Sequence, residues 1–111
     1  MRSIGTGESW VERPLPLAKF KQLADVEFEV DWYCSVFSVD LPKHVKQTHG
    51  SRDFSGSYNG KTETLTYTKP YLGVILHELA HHIRHKLSNG NGRGHNYEFG
   101  KVLQELIDMN L

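Results

Sequence analysis

The chain has 111 residues, 38% of them hydrophobic, and its 13 Lys and Arg balance 13 Asp and Glu to a formal net charge of zero. This length predicts a single domain with a small core, over residues 14–111. The polar, glycine-containing residues 1–13 predict a loose lead-in. A neutral chain lacks the basic footprint of most nucleic-acid binders, so we expect no nucleic-acid partner. The single cysteine, Cys34, excludes an internal disulfide and a cysteine-rich zinc ribbon.

The N-terminal stretch predicts no targeting segment. Residues 1–11 contain one arginine, two glycines and no apolar run, unlike a signal peptide or a membrane anchor. No later stretch approaches the roughly 18 apolar residues that a membrane-spanning helix needs. We therefore expect no membrane partner and a cytoplasmic protein.

A short N-terminal helix is the first predicted element. Pro16 suits the first turn of a helix that runs to about Ala24. Leu17, Phe20 and Leu23 would lie on its inner face, together with Ala24. We expect this helix to support the core.

The next predicted element is a strand. From Val26 to Trp32, apolar residues alternate strictly with acidic ones, which is typical of a strand with one buried face. Beyond Cys34, a half-buried strand residue in this interpretation, the alternation changes phase, which indicates a bulge or break near Ser35 and Val36. The following polar stretch, residues 42–53, predicts a loop.

A hairpin is predicted around Asn59-Gly60, because this dipeptide favours a two-residue type I′ turn. Such a turn pairs Tyr58 with Lys61 and, further out, Phe54 with Leu65. We also expect His44 and His49, in the loop before the hairpin, to be exposed.

One long helix is predicted after the hairpin's second strand, which spans Thr62–Tyr67. Thr68 would be its N-cap, Pro70 would lie in its first turn, and it would end near Leu87. Apolar residues spaced by three and four predict a half-buried helix beside a core. These residues are Leu72, Ile75, Leu76, Leu79, Ala80, Ile83 and Leu87.

This helix contains an H-E-x-x-H motif, His77-Glu78-Leu79-Ala80-His81. His77 and His81 are four residues apart, so they share one helix face and can bind one metal ion. Glu78, rotated by about 100° from His77, can reach a water on that metal. Zinc hydrolases use this arrangement.

A catalytic zinc needs a third protein ligand. His85 lies about 12 Å of helix rise beyond His77, too far to share its ion. A glycine-rich reversal over 88–94 leads into a final helix, with Asn96 as its N-cap. This reversal can bring His95 back against the motif helix, and Glu98 is the alternative ligand. The apolar positions of the final helix are Phe99, Val102, Leu103, Leu106 and Ile107.

These residues resemble the SprT-like group of zincin metallopeptidases. That group carries H-E-x-x-H on one helix and a third histidine in a G-H-G-P-E segment that ends in Phe or Trp. Here His95, Glu98 and Phe99 match, whereas Asn96 and Tyr97 replace the Gly-Pro pair. The resemblance covers residues 62–106.

The resemblance implies a zinc metallopeptidase with one Zn²⁺ per chain, held by His77, His81 and His95. Glu78 would be the general base for the attacking water. It also implies a polypeptide substrate bound as an extended strand beside a sheet edge, for which Thr62–Tyr67 is the candidate. Tyr97, Arg84 and His85 are candidates for a side chain that stabilises the oxyanion.

The predicted fold class is α+β. We expect a small zincin-like domain in which an antiparallel or mixed sheet of about three strands packs on the motif helix and a C-terminal helix. The short N-terminal helix completes the predicted set of elements.

Two other functions compete with this prediction. His85 after the motif also resembles the H-E-x-x-H-x-x-x-H of ImmA/IrrE-like regulatory peptidases, in which Glu98 would be the third ligand. The other is a non-catalytic metal-binding interaction module, in which zinc ties the last helix to the motif helix. Such a structural site would take a fourth ligand from His82, His85, His44 or His49.

Overall fold

A computed structural model describes residues 20–88 and 97–110 of the chain. Three helices and a three-stranded mixed sheet confirm the predicted α+β class. In chain order the elements are α1 (Val26–Phe37), β1 (His44–Gln47), β2 (Gly56–Asn59), β3 (Thr64–Tyr67), α2 (Leu72–Leu87) and α3 (Tyr97–Asp108). No helix in these two ranges is long and apolar enough to cross a membrane. The predicted lead-in, residues 1–13, lies outside them.

The sheet has the strand order β1-β3-β2. β1 runs parallel to β3 and β2 runs antiparallel to it, so that Leu65 of β3 pairs with Val45 on one side and Tyr58 on the other. The prediction that Thr62–Tyr67 is an edge strand is therefore wrong, because β3 is central. β1 replaces part of the predicted 42–53 loop. All four of its side chains are exposed, so its sequence carries no alternation of buried and exposed positions.

The hairpin between β2 and β3 forms, but with a different turn and register. Asn59 pairs with Thr64, so four residues form the loop, whereas the prediction was a two-residue type I′ turn. The Asn59 side-chain oxygen accepts hydrogen bonds from the backbone N–H groups of Lys61 and Thr62, at 2.9 and 3.3 Å. This local turn of the asparagine side chain competes with the predicted backbone turn. Tyr58 consequently pairs with Leu65.

The predicted strand from Val26 onward is a helix, α1. Asp25 caps it by accepting a hydrogen bond from the backbone N–H of Phe28 at 3.2 Å. Three residues at helical spacing, Val30, Tyr33 and Cys34, are buried. Cys34 is therefore a fully buried helical residue, and burial raises the pKa of its thiol to about 11. Tertiary packing of this face outweighs the strand-like alternation.

The predicted N-terminal helix is not present over residues 20–24, the part of it that the structure describes. Phe20 is buried as predicted, but Leu23 is 68% exposed. The carbonyls of Phe20 and Gln22 accept hydrogen bonds from the backbone N–H groups of Gly73 and Leu72, each within 2.9 Å. This extended segment thus satisfies donors at the start of α2, which a helix N-terminus otherwise leaves without partners.

Helix α2 ends at Leu87 as predicted but begins at Leu72, with Tyr71 at the cap position. Thr68 is not its N-cap. Its hydroxyl group instead donates to the carbonyls of Arg52, at 2.7 Å, and Asp53, at 2.9 Å, in the loop before β2.

The core lies between α2, α3, the inner face of α1 and the sheet. The predicted apolar stripe of α2 is buried except for Leu87, which is 55% exposed. All five predicted apolar positions of the last helix are buried too. The largest fully buried side chains of these elements are Leu65, Ile75, Leu76, Leu79, Ile83, Phe99, Leu103 and Leu106.

Candidate metal centre

The motif residues lie in the middle of α2, between its buried and exposed faces. His77 and His81 are half-buried, whereas Glu78 between them is 6% exposed. One potential ligand atom from each of these three residues lies within 4.8 Å of the other two. In the described parts of the chain, this is the one group of three or more His, Cys, Asp or Glu residues with such spacing.

The two imidazoles meet edge to face, with ring centroids 5.1 Å apart and an angle of 72° between the ring planes. Phe99, in the first turn of α3, packs against both rings. It stacks on His81 at a centroid distance of 4.2 Å and meets His77 edge-on at 5.2 Å. The buried phenyl ring restricts the rotamers of both histidines, so α3 helps to define where their nitrogens point.

Glu78 is held beneath strand β2. Burial raises the pKa of its carboxyl group to about 8. A buried carboxylate is unfavourable unless a positive charge or hydrogen bonds compensate it. A bound cation would supply that charge, so the burial of Glu78 beside two imidazoles fits a metal site.

Gly56 is a functional position that the sequence analysis missed. A Cβ atom at Gly56 would lie 2.7 Å from the backbone oxygen of Thr66, 2.9 Å from Cγ1 of Val74 and 3.1 Å from Cγ of Glu78. Only glycine therefore allows β2 to approach the helix this closely over the motif. No local sequence signal shows this requirement, because the clashing atoms come from other elements.

His82, the residue after the motif's second histidine, is fully buried on a different face of α2. Its Nε2 lies 2.7 Å from the carbonyl oxygen of Asp40, which can only accept, so Nε2 carries the proton. Its Nδ1 then accepts from the hydroxyl group of Tyr58 at 2.8 Å. Burial lowers the pKa of His82. Both ring nitrogens are thus used to connect α2 to β2 and to the segment after α1.

Two of the candidates for oxyanion stabilisation, Tyr97 and Arg84, differ in burial. Tyr97 is 63% exposed, and Nζ of Lys101 lies 5.3 Å from the centre of its ring. Arg84 is buried, and burial lowers the pKa of its guanidinium, an effect that the charge of Glu98 partly offsets. Arg84 and Glu98 line the same groove beside α3, and the residues that line it do not include His77, Glu78 or His81.

The third candidate, His85, is half-buried against the hairpin. Its ring would lie 3.1 Å from a Cβ at Gly60 and packs at 6.0 Å from the ring of Tyr58. As predicted, His44 and His49 are exposed. His95 and Asn96 lie outside the described residues.

The donor set of the motif group suits zinc. Two imidazole nitrogens are ligands that Zn²⁺ accepts, at about 2.0–2.1 Å from each atom, and the Glu78 carboxylate next to them is placed to contact a metal-bound water. The ligand atoms of His77 and His81 lie within 4.8 Å of each other. A shared zinc ion requires a separation below about 4.2 Å, because each Zn–N bond is about 2.0–2.1 Å long, and rotation of the imidazoles would have to supply any difference. The residues present therefore fit a metal centre.

No protein-family model, no curated protein and no solved structure matches this chain. Its function is therefore argued from the residues of the site and their geometry.

Proposed function

We propose that the chain is a zinc-dependent metallopeptidase of the SprT-like kind. The observation that carries this proposal is the grouping of the ligand atoms of His77, Glu78 and His81 within 4.8 Å on a half-buried helix. His77 and His81 are the proposed ligands. Glu78 is the proposed catalytic base.

The proposed chemistry is hydrolysis of a peptide bond by water. A bound zinc ion would supply the Lewis acid that brings the pKa of water to about 7. Glu78 accepts the proton of the attacking water and then donates it to the leaving amine. Its burial under β2 keeps the carboxyl group out of bulk solvent.

The proposed third ligand is His95. It precedes by four residues Phe99, whose ring stacks on His81. Glu98, the alternative ligand of an ImmA/IrrE-like site, does not belong to the group of nearby ligand atoms around the motif. It lies beside Arg84 instead. These contacts favour His95 over Glu98.

The described histidines also favour a catalytic over a purely structural site. His82 uses both ring nitrogens in hydrogen bonds to Tyr58 and Asp40. Among the described residues, the motif group does not include His44, His49 or His85. A structural zinc would need a fourth protein ligand, and none of these four histidines is placed to supply it.

The proposed substrate is a polypeptide that adds as an extended strand to the free edge of β2. This strand is one of the two sheet edges among the described elements, and its Gly56 lies against Glu78 of the motif helix. Strand addition uses backbone hydrogen bonds and therefore accepts many sequences. The proposed substrate-binding edge is therefore β2, whereas the sequence predicted β3.

Digestion of unfolded casein by purified protein tests the proposal. The wild type should cleave casein in the presence of zinc and lose this activity with a chelator. Glu78→Gln should retain zinc and cleave at least about a hundredfold more slowly, because a general base contributes about 10²–10⁴ in rate. A wild type that holds zinc but cleaves no unfolded protein would contradict the peptidase function.

The third ligand is tested by the zinc content of two single variants that are close in sequence. His95→Ala should lose zinc, whereas Glu98→Ala should keep it. The opposite result would move the ligand to Glu98 and favour the ImmA/IrrE-like alternative.

A further inference from the structure

Helix α1 has a second apolar face, opposite the one that enters the core. Phe28, Trp32 and Val36 follow one another at intervals of four residues, so they align along one side of the helix. Their exposed fractions are 58%, 45% and 47%. We refer to Phe28, Trp32 and Val36 as the outer apolar row. The packing of the described core does not account for it.

Acidic side chains border the outer apolar row on both sides. At 100° per residue, Glu27 and Asp31 lie along one side of the row and Asp25 and Glu29 along the other. The surrounding segment, residues 22–42, contains five Asp and Glu and no Lys or Arg.

No ion pair to these acidic side chains is found within the part of the chain that the structure describes. Burial, and next the charge of Asp25, raise the pKa of Glu29. The row and its borders thus combine exposed apolar area with acidic side chains that form no ion pair among residues 20–88 and 97–110.

A groove continues this surface toward the sheet. It has a volume of about 400 Å³, and Glu27 and Asp31 lie on its helix side. Leu41, Val45 and Tyr67 line the opposite side. Leu41 and Val45 are themselves exposed, so the apolar area extends beyond the helix.

We propose that the outer apolar row and its acidic borders form a docking surface for a basic amphipathic segment of another protein. Large exposed apolar residues in a row are typical of an interaction site. The charges select the partner, because Lys and Arg beside an apolar row would match the acidic borders. A second copy of this chain would bring acidic borders against acidic borders in a twofold contact. Anionic lipid and nucleic acid are disfavoured by the same repulsion.

Fluorescence anisotropy of a labelled leucine–lysine amphipathic helical peptide tests the docking surface. The wild type should bind it, and should not bind the corresponding leucine–glutamate peptide. Phe28→Ala/Val36→Ala and Glu27→Gln/Asp31→Asn should each weaken binding at least about tenfold, which corresponds to about 1.4 kcal/mol. In a Trp10→Phe background, the peptide should also shift the emission of Trp32.

Two control variants match these changes on other parts of the surface. Met109→Ala removes an exposed apolar side chain, and Glu105→Gln/Asp108→Asn removes two exposed charges from α3. Both should bind the peptide as the wild type does. Circular dichroism melts should show that the α1 variants and the two control variants remain folded, because the side chains that they replace are exposed.

Four results would overturn the proposal. The first is a wild type that does not bind the leucine–lysine peptide. The second is equal binding by the α1 variants and the controls, which would place the peptide elsewhere. The third is equal binding of the leucine–glutamate peptide, which would remove the role of charge. The fourth is a wild-type dimer in analytical ultracentrifugation that Phe28→Ala/Val36→Ala converts to monomer, since the row would then be covered by a second copy.

Discussion

Helices α1 and α2 pack against each other but bury very different shares of their residues. Eleven of the sixteen residues of α2 are buried, against three of the twelve of α1. The buried residues of α2 include the ionisable side chains of Glu78, His82 and Arg84. Side chains on α2 thus belong to the core and to the site together. On α1, by contrast, one face packs in the core and the opposite face is exposed to solvent.

The largest expected effect is a contrast in stability between one apolar residue of each helix. Leu79 of α2 is fully buried, so Leu79→Ala should lower the free energy of unfolding by about 3 kcal/mol. Phe28→Ala on the outer face of α1 should lower it by less than about 1 kcal/mol. Urea denaturation measures both. Equal costs would show that the outer face of α1 is part of the core.

A second contrast concerns the two glycines that face α2 from the hairpin. Gly56→Ala should cost about 1–3 kcal/mol, because its Cβ would meet the backbone of Thr66 and the side chains of Val74 and Glu78. Gly60→Ala should cost less, since its Cβ would meet only the ring of His85, the end of a flexible side chain. Thermal melts compare the two variants. A smaller loss for Gly56→Ala than for Gly60→Ala would contradict the close approach of β2 to Glu78.

The hydrogen bond that joins β2 to α2 gives a third effect, which should be no larger than that of Gly56→Ala. Tyr58→Phe leaves Nδ1 of the buried His82 without its donor, so the free energy of unfolding should fall by about 1–3 kcal/mol. Tyr67→Phe is the matched control, because the Tyr67 hydroxyl group has no hydrogen-bond partner among residues 20–88 and 97–110. Chemical denaturation of both variants separates them. Equal losses would show that the hydrogen bond between Tyr58 and His82 does not contribute to stability.

The smallest expected effect comes from the ion pair between Lys86 and Glu63, 2.9 Å apart and partly buried. The hydrogen bond from Lys86 lowers the pKa of the Glu63 carboxyl group. The pair therefore stabilises the fold fully at pH values above 4.5, the ordinary glutamate pKa. That contribution is lost as the pH falls through the lowered value. At pH 7, Lys86→Met should cost about 0.5–1 kcal/mol, and the difference from wild type should shrink in acid.

The control for this pair is Lys69→Met, which removes the exposed and longer contact with Asp53, at 3.8 Å. It should leave stability unchanged at every pH. Unfolding curves measured between neutral and acidic pH give both comparisons. A cost of Lys86→Met that does not depend on pH would show that the pair acts through packing alone.

The sequence predicts helix α2 and the position of its motif well, because the helical spacing of the apolar residues defines both. Apolar residues at helical spacing define the inner face, and four-residue spacing places His77 and His81 together on that scaffold. The same reasoning predicted a strand for α1. Phe28 and Trp32 seemed to be core residues in an alternating pattern, but both lie on the solvent face, and only the contacts of Val30 and Cys34 with other elements reveal the helix.

Other features depend on residues that are distant in sequence. The requirement for glycine at position 56 arises from Thr66 and Glu78, and the register of the hairpin depends on how the Asn59 side chain bonds to its own loop. β1 has four exposed side chains and pairs with β3 through its backbone, so its sequence resembles a loop. Local patterns do not contain this information.

The zinc content of purified protein tests the central claim most directly. Mass spectrometry should be applied to the wild type, His77→Ala, His81→Ala and, as a matched control on the same helix, His85→Ala. The account predicts about one zinc per chain in the wild type and in His85→Ala, and none in the other two variants. A wild type without zinc, or zinc that persists when His77 and His81 are replaced, would contradict it.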